Sequence, residues 1–218
     1  MTIFSSRAVC LVAVLALAVA CSSSDSESEA PRAGASCSDA SVATCENPKS
    51  SLVCHNGKWT AMPCNGPDGC VLRDGKAICD ARQAQAGDFC SVSDKDKKDA
   101  CSMDGTKLLT CTDNKWTAAY DCTGPDKCKV EGDKGICDQS IASVDAPCIG
   151  EARACSTDGT KALDCKDGKF VVAFECGGVN KCQMKGNERH CDQSNASVDA
   201  PCIGEARACS TDGTKALD

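Results

Sequence analysis

The sequence predicts a small disulfide-rich all-β protein, built as tandem repeats of short β-hairpin modules like beads on a string. Three observations carry this expectation. Cysteine supplies 22 of 218 residues, the density of a disulfide scaffold, while aromatics make up only 3%. Six cysteines recur three times at nearly fixed spacing: Cys37, Cys45, Cys54, Cys64, Cys70, Cys79; Cys90, Cys101, Cys111, Cys122, Cys128, Cys137; and Cys148, Cys155, Cys165, Cys176, Cys182, Cys191. Two-residue turn signals punctuate each copy. A set of about 45 residues cannot bury a self-sufficient apolar core. Disulfides worth about 2–4 kcal/mol each would then supply most of a module's stability. Such staples belong to an oxidising, extracytoplasmic setting.

In chain order, residues 1–20 read as a signal peptide. Arg7 is the one charge, and the thirteen residues 8–20 form an unbroken apolar run, too short to span a bilayer. The run ends Leu17-Ala18-Val19-Ala20-Cys21 and resembles the lipobox of bacterial lipoproteins, with Ala18 where that motif prefers leucine. Cys21 is therefore the expected lipidation site. Residues 21–36 hold that cysteine and a Ser-rich disordered tether. Modules follow at 37–80, 90–138 and 148–192, separated by linkers at 81–89, 139–147 and 193–201. Residues 202–218 read as a truncated fourth module. Residues 143–164 recur unchanged as 197–218, a period of 54, so the reading frame is expected to continue beyond Asp218.

The first hairpin of each module centres on Asn56-Gly57, Asp113-Asn114 or Asp167-Gly168, pairs that tolerate positive φ. Counting outward sets Cys54 against Trp59 and Leu52 against Ala61; Cys111 against Trp116 and Leu109 against Ala118; Cys165 against Phe170 and Leu163 against Val172. Side chains alternate along a strand, so each of these foursomes shares one face and forms the core. The second hairpin has Asp74-Gly75, Gly132-Asp133 or Gly186-Asn187 at its midpoint, which sets its two flanking cysteines opposite each other. Opposed strand residues lie within disulfide range. The expected bridges are Cys70–Cys79, Cys128–Cys137 and Cys182–Cys191. The other four cysteines of a module have three pairings open to them. The first two cysteines of a set are 8, 11 and 7 residues apart, which marks a surface loop; in copy two it carries the run SDKDKKDA.

Catalytic and metal chemistry find little support. The closest cysteine pairs enclose five residues, unlike the short pairs of zinc sites, and His55 and His190 occupy unrelated places in the repeat. No Ser/His/Asp set is visible, so no enzyme and no cofactor are expected. Asp94, Asp96 and Asp99 mimic part of a calcium loop, but lysines take two ligand positions. Asp80, Asp138 and Asp192 follow the last cysteine of every copy and read as strand-end or turn residues. Trp59, Trp116 and Phe170 are candidate ligand contacts through sugar stacking, with core packing against a disulfide as the competing use.

The string C-S-x-D-G-T-K-L-L-T-C-T-D-N-K-W-x₅-C-T-G-P-D-K-C of copy two resembles cysteine-rich tandem-repeat lipoproteins of Gram-negative bacteria, over residues 37–218. More weakly, the order C-x-G…L-x-C-x-x-G-x-W…C-x-G-x-x-C resembles small secreted carbohydrate-binding modules. The first resemblance implies an extracytoplasmic location at the bacterial cell envelope, in the outer membrane or at the surface. The second implies a polysaccharide ligand. The leading expectation is a non-enzymatic, lipid-anchored repeat protein that binds or displays at the envelope. Its partners would be the membrane, through the lipid, and an envelope or extracellular polysaccharide or protein. The net charge of −7 argues against nucleic acid. Alternatives are a structural stalk without ligand, or a protease inhibitor using Arg73 or Lys134 near a hairpin tip.

Overall fold

The computed structural model describes residues 30–38, 43–91, 99–132, 134–186, 188–203, 207–210, 212 and 216–217. The signal peptide, Cys21, Asp94 and Asp96 lie outside the described residues. Residues 31–218 form one contact unit, and every regular element described is a strand.

Module one contains β1 (Ala43–Asn47), β2 (Ser50–His55), β3 (Lys58–Pro63), β4 (Cys70–Arg73) and β5 (Lys76–Cys79). The next repeat runs through β6 (Gln83–Ala84), β7 (Asp99–Ser102), β8 (Lys107–Thr112), β9 (Lys115–Asp121), β10 (Cys128–Glu131) and β11 (Lys134–Cys137). The third has β12 (Ile141–Ala142), β13 (Arg153–Ser156), β14 (Lys161–Lys166), β15 (Lys169–Glu175), β16 (Cys182–Lys185) and β17 (Glu188–Cys191). β18 (Asn195–Ala196), β19 (Ala208–Ser210) and β20 (Ala216–Leu217) open a fourth. Each complete module is thus a three- or four-stranded sheet plus a separate two-stranded hairpin.

The turn chemistry sets the predicted register. Cys54 faces Trp59, Cys111 faces Trp116 and Cys165 faces Phe170. Asn56, Asp113 and Asp167 take φ of 51°, 51° and 52°, the left-handed conformation that two-residue hairpins need. Leu52, Leu109 and Leu163 are fully buried. The expected fourth corner of the core differs: Val172 is 42% exposed, and Ala118 is exposed too. Both lie on edge strands, two residues past Trp116 and Phe170, where the linker segment pairs with that edge.

Two expectations are corrected. The first is the disulfide pairing. Cys70–Cys79, Cys128–Cys137 and Cys182–Cys191 are opposed in register, as counted from the turns, yet none of them is a bridge. The bonds are Cys37–Cys54, Cys45–Cys70 and Cys64–Cys79 in module one. Modules two and three repeat this first-to-third, second-to-fifth, fourth-to-sixth pattern. Both cysteines of the second hairpin turn toward the main sheet. A bridge within the hairpin would close only nine residues. The observed bridges close 25 or 27 residues, and 15. They constrain the unfolded chain more and fasten the hairpin to its sheet.

The second correction concerns the linkers. β6, β12 and β18 pair in parallel with the first strand of the module that follows. The linker then reaches the opposite edge: Gly87 N donates to Trp116 O and Trp116 N to Asp88 O, with Asp145 and Ala146 repeating this at Phe170. Ala84 is 1% exposed and completes a core with Cys90, Ala100, Leu109 and Trp116; Ala142 does the same with Cys148, Ala154, Leu163 and Phe170. The sheet carries more apolar surface than its own module can cover, and the linker is the cover. Residues 34–36, assigned to the tether, behave likewise: Gly34 N donates to Trp59 O, and Trp59 N to Ala35 O.

The second hairpin fits its sheet through residues of compensating size. In module two, Gly135 lies under Leu108, and a Cβ on it would come within 2.0 Å of Leu108 Cδ1. In module three the same two places hold Ala162 and Arg189. That guanidinium pairs with Asp164 at 2.7 Å and stands 5.9 Å from the Phe174 ring centre.

Two measurements check this. Peptide mapping of the oxidised protein should recover Cys101–Cys128 and Cys122–Cys137, and no Cys128–Cys137 link. Gly135→Arg should destabilise module two by about 1–3 kcal/mol through overpacking. Adding Leu108→Ala should return most of it, read from Trp116 fluorescence during denaturant unfolding.

Candidate functional site

Besides the disulfides, the junction between modules recurs in every copy. It is built by the aspartate after the sixth cysteine. In the first junction Asp80 Oδ2 accepts from Asp68 N at 3.0 Å, while Oδ1 accepts from Arg82 N at 3.1 Å. Asp138 accepts from Asp126 N and Ser140 N at 2.8 and 2.9 Å; Asp192 accepts from Asn180 N and Ser194 N, both at 3.0 Å. One oxygen therefore closes the finished module's last loop, and the other holds the first residue of the next. That residue's carbonyl then accepts from the next module's second cysteine: Arg82 O from Cys101 N, Ser140 O from Cys155 N, Ser194 O from Cys209 N, each at 2.9 Å. The expected turn role of these aspartates thus extends across the module boundary.

The glycine of each C-x-G loop makes room for the clamp. Gly66, Gly124 and Gly178 donate backbone bonds of 2.9 Å to Asp80, Asp138 and Asp192. A Cβ on any of them would fall 2.0–2.1 Å from the nearest carboxylate atom. Buried glutamines brace the later junctions. Gln139 donates to Pro147 O at 2.9 Å and accepts from Ile149 N at 3.0 Å, and Gln193 does the same with Pro201 and Ile203. Sequence reasoning passed over these residues, although the recurrence of Gly66, Gly124 and Gly178 was visible as a signal for close backbone approach.

Clamping depresses the carboxyls. The Arg82 side-chain bond, against partial burial, lowers Asp80 to about 2, helped by the Asp68 and Arg82 amides. The Ser194 and Asn180 amides lower Asp192 to about 2. Burial works against Asp138, yet the Ser140 and Asp126 donors hold it below the usual range. A second recurrent aspartate caps the S-x-D-G-T turn: Asp104 accepts from the Ser102 hydroxyl and from Thr106 N and Oγ1, which lower it to about 2.

A groove runs beside the clamp. Between modules two and three it encloses about 1210 Å3, with Lys129, Glu131 and Ile136 on one wall and Glu151, Arg153 and Met184 on the other. Its counterpart between modules one and two is about 350 Å3 and is lined by Val71, Arg73, Ile78 and Arg82 among others. The position is repeated while the chemistry is not. Among the described residues no three metal-ligating side chains converge.

The chain matches no protein-family model, no curated protein and no solved structure.

The candidate ligand contacts do not line this groove. Trp116 is 3% exposed and Phe170 is fully buried, each beside the first-to-third disulfide of its module. As sugar-stacking platforms they are corrected to core residues. Trp59 is half-buried; among the described residues its sheet is three-stranded, without the parallel linker strand of the later modules. Arg73 ends β4 beside the turn, and Lys134 begins β11. Asp99 accepts from Gly135 N at 3.0 Å and so helps dock the second hairpin.

Two outcomes follow. Asp138→Ala removes the acceptor for two backbone amides and should cost about 2 kcal/mol, measured by denaturant unfolding. The depressed carboxyls stabilise the fold fully above the ordinary aspartate value of 3.8, and lose that contribution as pH falls toward about 2. The amides of Asp68, Arg82, Asn180 and Ser194 should lose protection from solvent exchange, read against the intrinsic rate at each pH, through that window while the disulfides stay intact.

Proposed function

We propose that this chain is a non-enzymatic, lipid-anchored protein of the bacterial cell envelope, whose tandem stapled modules display a binding surface beyond the membrane. The observation that carries the reading is the set of nine disulfides, three in each complete module. Such a set is compatible with an extracytoplasmic location. The apolar leader, Cys21 and the Ser-rich segment after it support the anchor. The surface offered to a partner is the junction groove, which combines charges of both signs with the exposed Ile136. An envelope polysaccharide or protein would meet it through hydrogen bonds and ion pairs, since no aromatic residue among those described is exposed.

The burial of Trp116 and Phe170 favours a second reading, a stalk that spaces something from the membrane without binding a ligand.

Metabolic labelling with a fatty-acid analogue tests the anchor: wild type should carry the label and sediment with membranes, and Cys21→Ser should do neither. Glycan arrays and envelope pull-downs with the oxidised chain separate the two readings. Retention that falls at least several-fold in Arg153→Glu supports the groove; no retention of any envelope component supports the stalk.

A further inference from the structure

Module one contains two Asn-Gly dipeptides in opposite environments. Asn56-Gly57 forms the exposed tip of the β2–β3 hairpin, with φ of 51° and 73°. Asn65-Gly66 lies in the buried C-x-G loop under the Asp80 clamp. Asn-Gly is the dipeptide most prone to intramolecular attack by a backbone nitrogen on the side-chain amide, because glycine has no Cβ to hinder it.

We propose that Asn56 is a site of spontaneous deamidation in the folded protein, and that Asn65 is protected by the module junction. Gly57 N makes no hydrogen bond among the described residues, whereas Gly57 O accepts from Cys37 N at 3.0 Å. Asn56 and Gly57 are both exposed, so solvent bases can reach the turn. Gly66 N, by contrast, is held by Asp80 O at 2.9 Å, and a Cβ there would sit 2.1 Å from the Asp80 carboxylate.

The step balances with water alone. Gly57 N loses its proton and bonds to Asn56 Cγ. The Cγ–Nδ2 bond breaks, and Nδ2 departs with that proton as ammonia. Water then opens the five-membered imide on either side, leaving aspartate or, through the other carbonyl, isoaspartate. His55 Nε2 lies 3.0 Å from Asn56 Nδ2, the leaving nitrogen, and the ring is held there against Phe89 at 5.3 Å between centroids. Nδ2 donates to Nε2 there, and this bond holds the side-chain amide of Asn56 in place.

The repeat indicates what each product does. Module three carries Asp167-Gly168 at the same two places with φ of 52° and 76°, so an aspartate at the tip keeps the turn and adds one negative charge. Isoaspartate adds a main-chain atom inside a two-residue turn, which breaks the His55–Lys58 register and the Cys37–Gly57 bond.

The test incubates the full oxidised chain at mildly alkaline pH and follows both sites by peptide mass mapping, with isoaspartate scored by methyltransferase labelling. Residue 56 should gain the deamidation mass on the order of tenfold faster than residue 65, the suppression that one amide hydrogen bond of ~1.4 kcal/mol imposes. Reduction and denaturation should bring the two rates together. Equal rates in the folded chain, or faster conversion at residue 65, would overturn the proposal.

Discussion

Everything in this chain depends on the covalent attachment of each second hairpin to its main sheet. A module core consists of about five side chains, only one of them large, such as Ala84, Cys90, Ala100, Leu109 and Trp116. Burial on that scale leaves little surplus over conformational entropy. The second-to-fifth and fourth-to-sixth bridges replace the missing apolar contact and bring the hairpin within reach of Leu108, Asp99 and Asp164. Docking then becomes specific, through pairs of compensating size that differ from copy to copy. The first-to-third bridge acts elsewhere, lying on the aromatic and finishing the core.

What the sequence revealed follows from the range over which each signal acts. Asn56-Gly57 and its counterparts act over four residues, so register can be counted outward and holds along both hairpins. Disulfide choice acts between elements. Cys128 and Cys137 do face each other, but which way both sulfurs turn depends on where the sheet carrying Cys101 and Cys122 lies, and no local pattern encodes that. The linkers mislead for a related reason. Ala84 and Ala142 look like filler in a polar segment, and their burial arises only because a neighbouring sheet has an uncovered face. The aspartates after the sixth cysteine are legible as turn residues, but not as clamps joining two modules.

The junction changes how the array is pictured. Each clamp joins consecutive modules with a single residue between the carboxylate and the next paired carbonyl, so there is no slack segment for a hinge. A partner would meet a series of grooves at a repeated position whose linings differ: Val71, Ile78 and Arg82 at one junction, Lys129, Ile136 and Arg153 at the next. Constant framework and variable lining would suit a display surface, and the buried aromatics belong to the framework.

The linker's allegiance to the following module also bears on how such a gene grows. If the folding unit began at its first cysteine, a duplication cut there would leave each new sheet with an uncovered face. The natural unit instead opens with its cover strand and ends with its aspartate. The unchanged internal repeat, residues 143–164 and 197–218, begins inside the linker and not at the cysteine. A copy cut just after the aspartate would arrive with the strand that shields it, β12 or β18, and meet its predecessor through one carboxylate. With cuts at the aspartates, copy number could change by unequal crossing-over without a compensating substitution elsewhere.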